Sequence, residues 1–250
     1  MTQPQATPMS LPVVFVADPI VLPGMVVPIA LDDAAQAAIE AAQVAAVGGE
    51  PGKLLIAPRL DDRYPTHGVI ASIVQVGRMP GSTETVAVVR GERRAHIGTG
   101  TSGPGAALWV LVDDVADEPA SEDTKALAAE YKKLLLAMLQ RREAWQIIDY
   151  VNRLTDPSAL ADTAGYASYL TAEQKRQLLE TADVAQRLRA LIDWMAEHLA
   201  EVEVNDKIAE DVRAGMDKQQ KEFLLRQQLA AIRKELGELG PDGAGEEADY

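Results

Sequence analysis

Several residue groups in this chain have the types that chemistry uses, and each lacks something the chemistry needs. Asp113-Asp114 and Asp117-Glu118 set carboxylates side by side, the raw material of general acid–base catalysis. At the end of an apolar run they read more simply as a solvated strand exit. Asp61, Thr66 and His67 can be drawn as a triad, but nearness in sequence is not geometry, and the cluster reads as a surface turn. Gly48-Gly49-Glu50-Pro51-Gly52-Lys53 has the look of a phosphate-binding loop. It has three residues between Gly48 and Gly52 where that loop needs four, and Leu54 stands where Ser or Thr must hold magnesium. It also follows a helical stretch and precedes a strand, the reverse of the required order. The seven serines lie in no nucleophile-elbow motif. There is no cysteine, and the three histidines (His67, His96, His198) are scattered, so thiolate chemistry and an all-His metal site are not expected. The sequence therefore offers no catalytic, nucleotide-binding or metal-ligating set. Arg93-Arg94, the one basic pair in the first half, reads as one solvent-facing and one ion-paired arginine on a strand.

The 250 residues carry 24 Lys and Arg against 38 Asp and Glu, a formal net charge of −14. Such a chain repels phosphate, so nucleic acid is not expected as a partner. No apolar run reaches the ~18 residues of a membrane span, and the N-terminus has neither the positive region nor the apolar segment of a secretory signal. A soluble, cytoplasmic protein with no membrane partner is expected.

The elements that would position any site fall into two kinds. Residues 11–119 hold most of the glycines and many prolines, whereas residues 120–239 hold one proline, Pro157, and three glycines. The first part predicts strands and turns and the second helices. Apolar, β-branched runs at 13–17, 25–30, 54–57, 69–76, 85–90 and 107–113 predict six strands, with a hairpin around Pro80-Gly81-Ser82 and a loop over Gly98–Gly105. One alanine-rich helix, Ala34–Val47, interrupts them, with Asp33 and Gln36 as its capping pair. Strands and helices do not alternate, so the fold class is α+β: a bent β-sheet or open barrel with one helix, followed by an α-helical subdomain.

From Ser121 the apolar period becomes helical, with Leu127, Tyr131, Leu134, Leu135, Met138 and Leu139 on one face and Ser121 as N-cap. Trp145, Ile148, Val151 and Leu154 continue a second helix, Asp156-Pro157 opens a third, and Thr171 with Gln174 forms a capping box for a fourth. Asp183 with Gln186 opens the last, which meets no proline before Leu239. Its second half narrows to Leu225, Leu229, Ile232, Leu236 and Leu239, the 4-3 spacing of a coiled-coil seam that asks for a partner helix. A break near Asn205 or Gly215 is the alternative to one continuous rod. The predicted organisation is a disordered N-terminus (1–10), a β-rich domain (11–118), a helical subdomain (119–182), a long helix (183–239) and a disordered acidic tail (240–250). The tryptophans Trp109, Trp145 and Trp194 are expected as core anchors, with exposed capture of a client as the minority reading. The candidate client contacts are Met79 and Trp109.

Three stretches resemble one family. Val21-Leu22-Pro23-Gly24-Met25-Val26-Val27-Pro28-Ile29 is similar to the opening strand-turn-strand of the N-terminal region of Lon ATP-dependent proteases. Gly68-Val69-Ile70-Ala71, followed by Val89-Arg90-Gly91-Glu92-Arg93-Arg94-Ala95, resembles that family's GxxA and V-x-G-x-x-R signature. Leu178–Leu188 and Lys221–Glu238 resemble the start and the coiled-coil end of its long helix. The chain departs from the family at Val16-Ala17, where Leu-Arg is usual, and at Leu22, where Phe is usual.

The resemblance implies a region that recognises unfolded or damaged protein clients and delivers them to an ATP-driven Ser-Lys protease, and that helps assemble a homohexamer through the Leu225–Leu239 seam. It implies ATP and magnesium only for an ATPase module whose motifs do not occur here. A structural oligomerisation and gating module with little client affinity, or a free-standing adaptor, is the competing reading.

Overall fold

The computed structural model describes residues 9–60, 63–78, 85–117 and 119–238, the last four of these by backbone alone. They fall into two units, one ending at Glu197 and the other beginning at His198.

The first unit opens with β1 (Met9–Val16), β2 (Val26–Ala30), α1 (Asp33–Ala45), β3 (Lys53–Pro58), β4 (His67–Arg78), β5 (Thr85–Thr101) and β6 (Trp109–Asp114). β1 and β3 run parallel because α1 is their crossover; the other pairings are antiparallel. The expected strand at 85–90 is in fact a 17-residue strand that takes in the first part of the Gly98–Gly105 loop. Its length decides the architecture. The first half of β5 carries β2, while its second half pairs with β6, which pairs in turn with β1. The ring β1-β3-β4-β5-β6 is thereby closed, in keeping with the bent sheet or open barrel that the sequence predicts. Register shifts between Ile70 and Ala71, between Ile73 and Gln75, and between Ile97 and Gly100 supply the bends that closure requires.

Leu11, Val13, Leu55, Ala57, Ile70, Ala95, Val110 and Val112 form one buried cluster, each at an alternate position of its strand. α1 packs on β1 and β3 through Ala35, Ala38, Ile39 and Ala42. Its N-cap is Asp32, whose carboxylate accepts from the Ala35 N–H at 2.8 Å, one residue before the predicted Asp33. The Pro23-Gly24 turn is held against β5 by Gly24 N–H donating to the Gly91 carbonyl and Gly91 N–H donating to the Met25 carbonyl. A Cβ on Gly91 would come within 2.8 Å of the Leu22 carbonyl oxygen, so this position of the signature needs glycine for close approach.

Helices follow: α2 (Glu122–Arg141), α3 (Trp145–Arg153), α4 (Pro157–Asp162) with a 3-10 turn (Thr163–Tyr166), α5 (Ala172–Glu180) and α6 (Val184–Glu238). Four start signals act as the sequence predicts. Ser121 accepts from Thr124 N–H, Asp156 from Ser158 and Ala159 N–H, Thr171 and Gln174 form a reciprocal capping box, and Asp183 accepts from Ala185 and Gln186 N–H. Within the first unit α6 buries Val184, Leu188, Leu191 and Met195, a 4-3-4 stripe. In the second unit α6 has no break at Asn205 or Gly215, and its described side chains from Glu203 onward are all exposed. Among the described residues no helix is long and apolar enough to cross a membrane.

Candidate functional site

Two features of the first unit carry its polar and apolar chemistry. The first is an ionic tie. Arg94 of β5 is 2% exposed and Arg187 of α6 is 1% exposed, and both guanidinium groups converge on Asp162 at the end of α4. Arg94 donates to the two Asp162 oxygens at 3.0 and 2.5 Å, and Arg187 donates to Oδ1 at 2.8 Å. Arg187 also donates to Asp117 Oδ1 at 2.5 Å and to Ser158 Oγ at 3.2 Å, and Ser158 donates to Asp117. Two cations and two carboxylates are balanced, and one barrel strand, the β6–α2 connection, α4 and α6 are joined at one point. The carboxylate oxygens are occupied by guanidinium and hydroxyl donors, so the tie holds structure and leaves no free base. Asp117 reaches this network from the solvent-exposed strand exit, with its side chain 34% exposed, and Asp114 is paired with Arg93. Glu118 lies outside the described residues.

The second feature is an apolar groove of 490 Å³ between α2, α3 and residues 163–169. That volume lies in the range of ligand-binding clefts. Its floor is buried: Tyr131, Leu135, Met138 and Leu139 of α2 and Val151 of α3. Its rim is open, with Ile147 at 52%, Tyr150 at 51% and Tyr166 at 59% exposure. Trp145, at the first turn of α3, is 62% exposed. Water thus meets a cluster of large apolar side chains, the kind of surface that marks an interaction site. Burial raises the Tyr131 hydroxyl well above its ordinary pKa and pushes Tyr169 up to about 12, so both floor hydroxyls stay neutral.

The backbone that opens the groove is specific. α2 ends in a Schellman turn: Glu143 N–H donates to the Gln140 carbonyl and Ala144 N–H to the Leu139 carbonyl. Glu143 takes φ 55°, the left-handed conformation that glycine adopts at no steric cost. Glu143→Gly is accordingly expected to stabilise the chain by about 0.5–1 kcal/mol. A thermal melt checks it, with a rise of a few degrees expected.

The residues predicted from sequence are placed differently. Trp109 is only 5% exposed; its indole N–H donates to the Pro104 carbonyl at 3.1 Å, and Gly103 lies against its ring. It anchors the loop onto the barrel wall and is not available to a client. Met79 lies outside the described residues. Leu225, Leu229 and Ile232 are about half exposed on α6; Leu236 is in the helix with its side chain outside the described residues, and Leu239 is beyond them. Trp145, expected in the core, is exposed, because α3 turns Val151 inward and leaves Trp145, Ile147 and Tyr150 to solvent. Thr66 and His67 are hydrogen-bonded neighbours at 3.0 Å, and the His67 ring meets His96 edge-on with centroids 5.3 Å apart. Burial, with His96 as a second cause, lowers the His67 pKa. Asp61 lies outside the described residues. The groove and Asp162 escaped the sequence reading; the available signal was α3, whose apolar residues outnumber those one buried face can hold.

Residues 10–197 match the family described as the ATP-dependent protease La (LON) substrate-binding domain. The chain is 70% identical over 241 residues to the Lon protease of Mycolicibacterium smegmatis, an alignment covering 96% of this chain and 30% of that one. It is 51% identical over 241 residues to the Lon protease of Salinispora arenicola, with the same coverage. The chain thus spans about a third of the length of these relatives. Among solved structures, the N-terminal domain of a Mycobacterium avium complex Lon protease superposes with a TM-score of 0.71 at 72% identity, covering 76% of this chain and all of that one. The Lon N-terminal domain protein of Xanthomonas campestris, at 18% identity and a TM-score of 0.52, shares the fold. With a closed barrel, a helical layer tied to it through Arg94, and this match over most of its length, the chain belongs to the Lon protease substrate-binding domain family.

Proposed function

We propose that this chain is the client-recognition region of an ATP-dependent Lon-type serine protease, and that it holds unfolded or damaged proteins by their exposed apolar segments. The single observation that carries this is the groove between α2 and α3, whose buried apolar floor and half-exposed Ile147, Tyr150 and Tyr166 rim offer apolar area to a chain that has lost its own core. A folded protein keeps such segments inside. Contact area of this size gives weak, repeated capture, and several copies around a homohexamer raise the effective concentration. Catalysis, ATP and magnesium belong in this reading to the modules of the longer protein, and its setting is the cytoplasm. The net charge of −14 opposes nucleic acid as the ligand of this region.

The experiment is an anisotropy titration of a labelled polypeptide in permanently unfolded and folded forms. The unfolded form is expected to bind at least tenfold more tightly; equal binding of the two would sink the proposal.

A second reading, an assembly module with little client affinity, is favoured by the apolar residues left open along α6. The same titration separates the two, because a pure assembly module binds neither form.

A further inference from the structure

The groove between α2 and α3 is apolar along its floor and cationic at one end. Tyr131, Leu135 and Met138 of α2 recur at 4-3 spacing, and Arg142, the C-cap of α2, falls at the next step of the same stripe. Among the described residues that line the groove, Arg142 is the one that carries a charge. Its side chain is exposed and makes one contact, Nη1 donating to the Ser168 hydroxyl at 3.5 Å, beyond the usual range of a hydrogen bond. Arg93, Arg94, Arg176 and Arg187 are each held by a carboxylate, whereas among the described residues none pairs with Arg142. Burial pushes the Tyr169 hydroxyl up to about 12, opposed by its hydrogen bond to Tyr131 and by the charge on Arg142, so that charge is felt inside the groove. A guanidinium with most of its N–H donors uncommitted, beside apolar surface from which a bound chain displaces water, is suited to a carboxylate. The net charge of −14 repels an acidic client at long range, so a preference for a carboxylate has to be local.

We propose that the groove selects client segments that carry a carboxylate two residues from a large apolar side chain, and that Arg142 is the residue that reads it. The spacing follows from the scaffold. Arg142 comes four residues after Met138, about 6 Å along the helix. An extended chain advances about 3.3 Å per residue and turns alternate side chains to one side, so positions i and i+2 span about 6.6 Å and face the groove together. The apolar side chain then rests on Leu135 and Met138 while the carboxylate meets the guanidinium. An Asp or Glu side chain supplies that group, and so does the free C-terminus of a client. A lysine or arginine in its place meets like charge. This rests on the reading of the groove as the client site and adds the chemical preference of that site.

The test titrates the whole chain with short labelled peptides that share a central Trp. Three are capped at both ends and carry Asp, Asn or Lys two residues after the Trp; a fourth ends there in a free carboxylate. At about 150 mM salt the Asp peptide is expected to bind about five- to tenfold more tightly than the Asn peptide, and the Lys peptide more weakly than either. A gain for the Asp peptide assigns the side chain as the source, a gain for the free terminus assigns the chain end, and a gain for neither overturns the proposal. Arg142→Gln is expected to make the Asp and Asn peptides equal. Arg142→Glu is expected to reverse the order, with the Lys peptide tightest and the Asn peptide within twofold of its original affinity; a purely structural Arg142 would weaken all the peptides alike. Circular dichroism melts confirm that both variants fold. Equal binding of the capped peptides and the free-terminus peptide, all weakened by Trp145→Ala with Ile147→Asp, would overturn the charge preference and leave the groove as the client site. Equal binding that ignores those two substitutions, or no binding at all, would overturn both.

Discussion

Asp162→Ala is expected to lower the unfolding free energy of the first unit by about 3–5 kcal/mol. Arg94 and Arg187 are 2% and 1% exposed, and Asp162 is the carboxylate they share. Its removal leaves two guanidinium groups dehydrated, with Arg94 keeping only the Leu178 carbonyl at 3.3 Å as an acceptor among the contacts described. The loss is a large fraction of the roughly 5–15 kcal/mol that holds a domain of ordinary stability. Chemical denaturation measures it, and Asp162→Asn, which keeps shape and one acceptor while removing the charge, is expected to fall between the two. A change below about 1 kcal/mol would show that water relieves the arginines and that the tie is not a keystone.

Ile147→Asp combined with Trp145→Ala is expected to weaken binding of an unfolded polypeptide about ten- to thirtyfold, with stability changed by less than about 1 kcal/mol. The two side chains are 52% and 62% exposed, so the fold depends little on them. A client pressed on the rim would bury both, and a carboxylate there must then be desolvated without a partner. Tyr166 makes a poor test, because its hydroxyl accepts the Val26 N–H at 2.8 Å and ties β2 to the helical layer. Unchanged client binding in the double variant, with an unchanged melt, would move recognition away from the groove.

Local chemistry was legible in the sequence, and long-range pairing was not. Ser121, Asp156, Thr171 and Asp183 could be read as helix starts because a cap is satisfied within three residues. The barrel closure could not be read, since it depends on β5 continuing past Gly98 and bending to reach β6 through an irregular register. One member of the ionic tie was visible, as the expectation that Arg93 or Arg94 would be ion-paired. Its partner Asp162 lies 68 residues away, and Arg187, at 25 residues from Asp162, looks in sequence like any helical surface arginine. Trp109 went astray as a candidate client contact for a related reason. Periodicity finds an apolar face but not what covers it: Trp109 is covered by its own loop at Pro104, whereas Trp145, Ile147 and Tyr150 are each more than half exposed.

Amide hydrogen exchange of the chain, alone and saturated with a permanently unfolded polypeptide, tests the central claim most directly. The account predicts added protection concentrated in residues 135–151 and 163–169, the walls of the groove, with the barrel strands unchanged. Protection falling on the barrel or on α6 alone, with the groove exchanging as in the free chain, would contradict it.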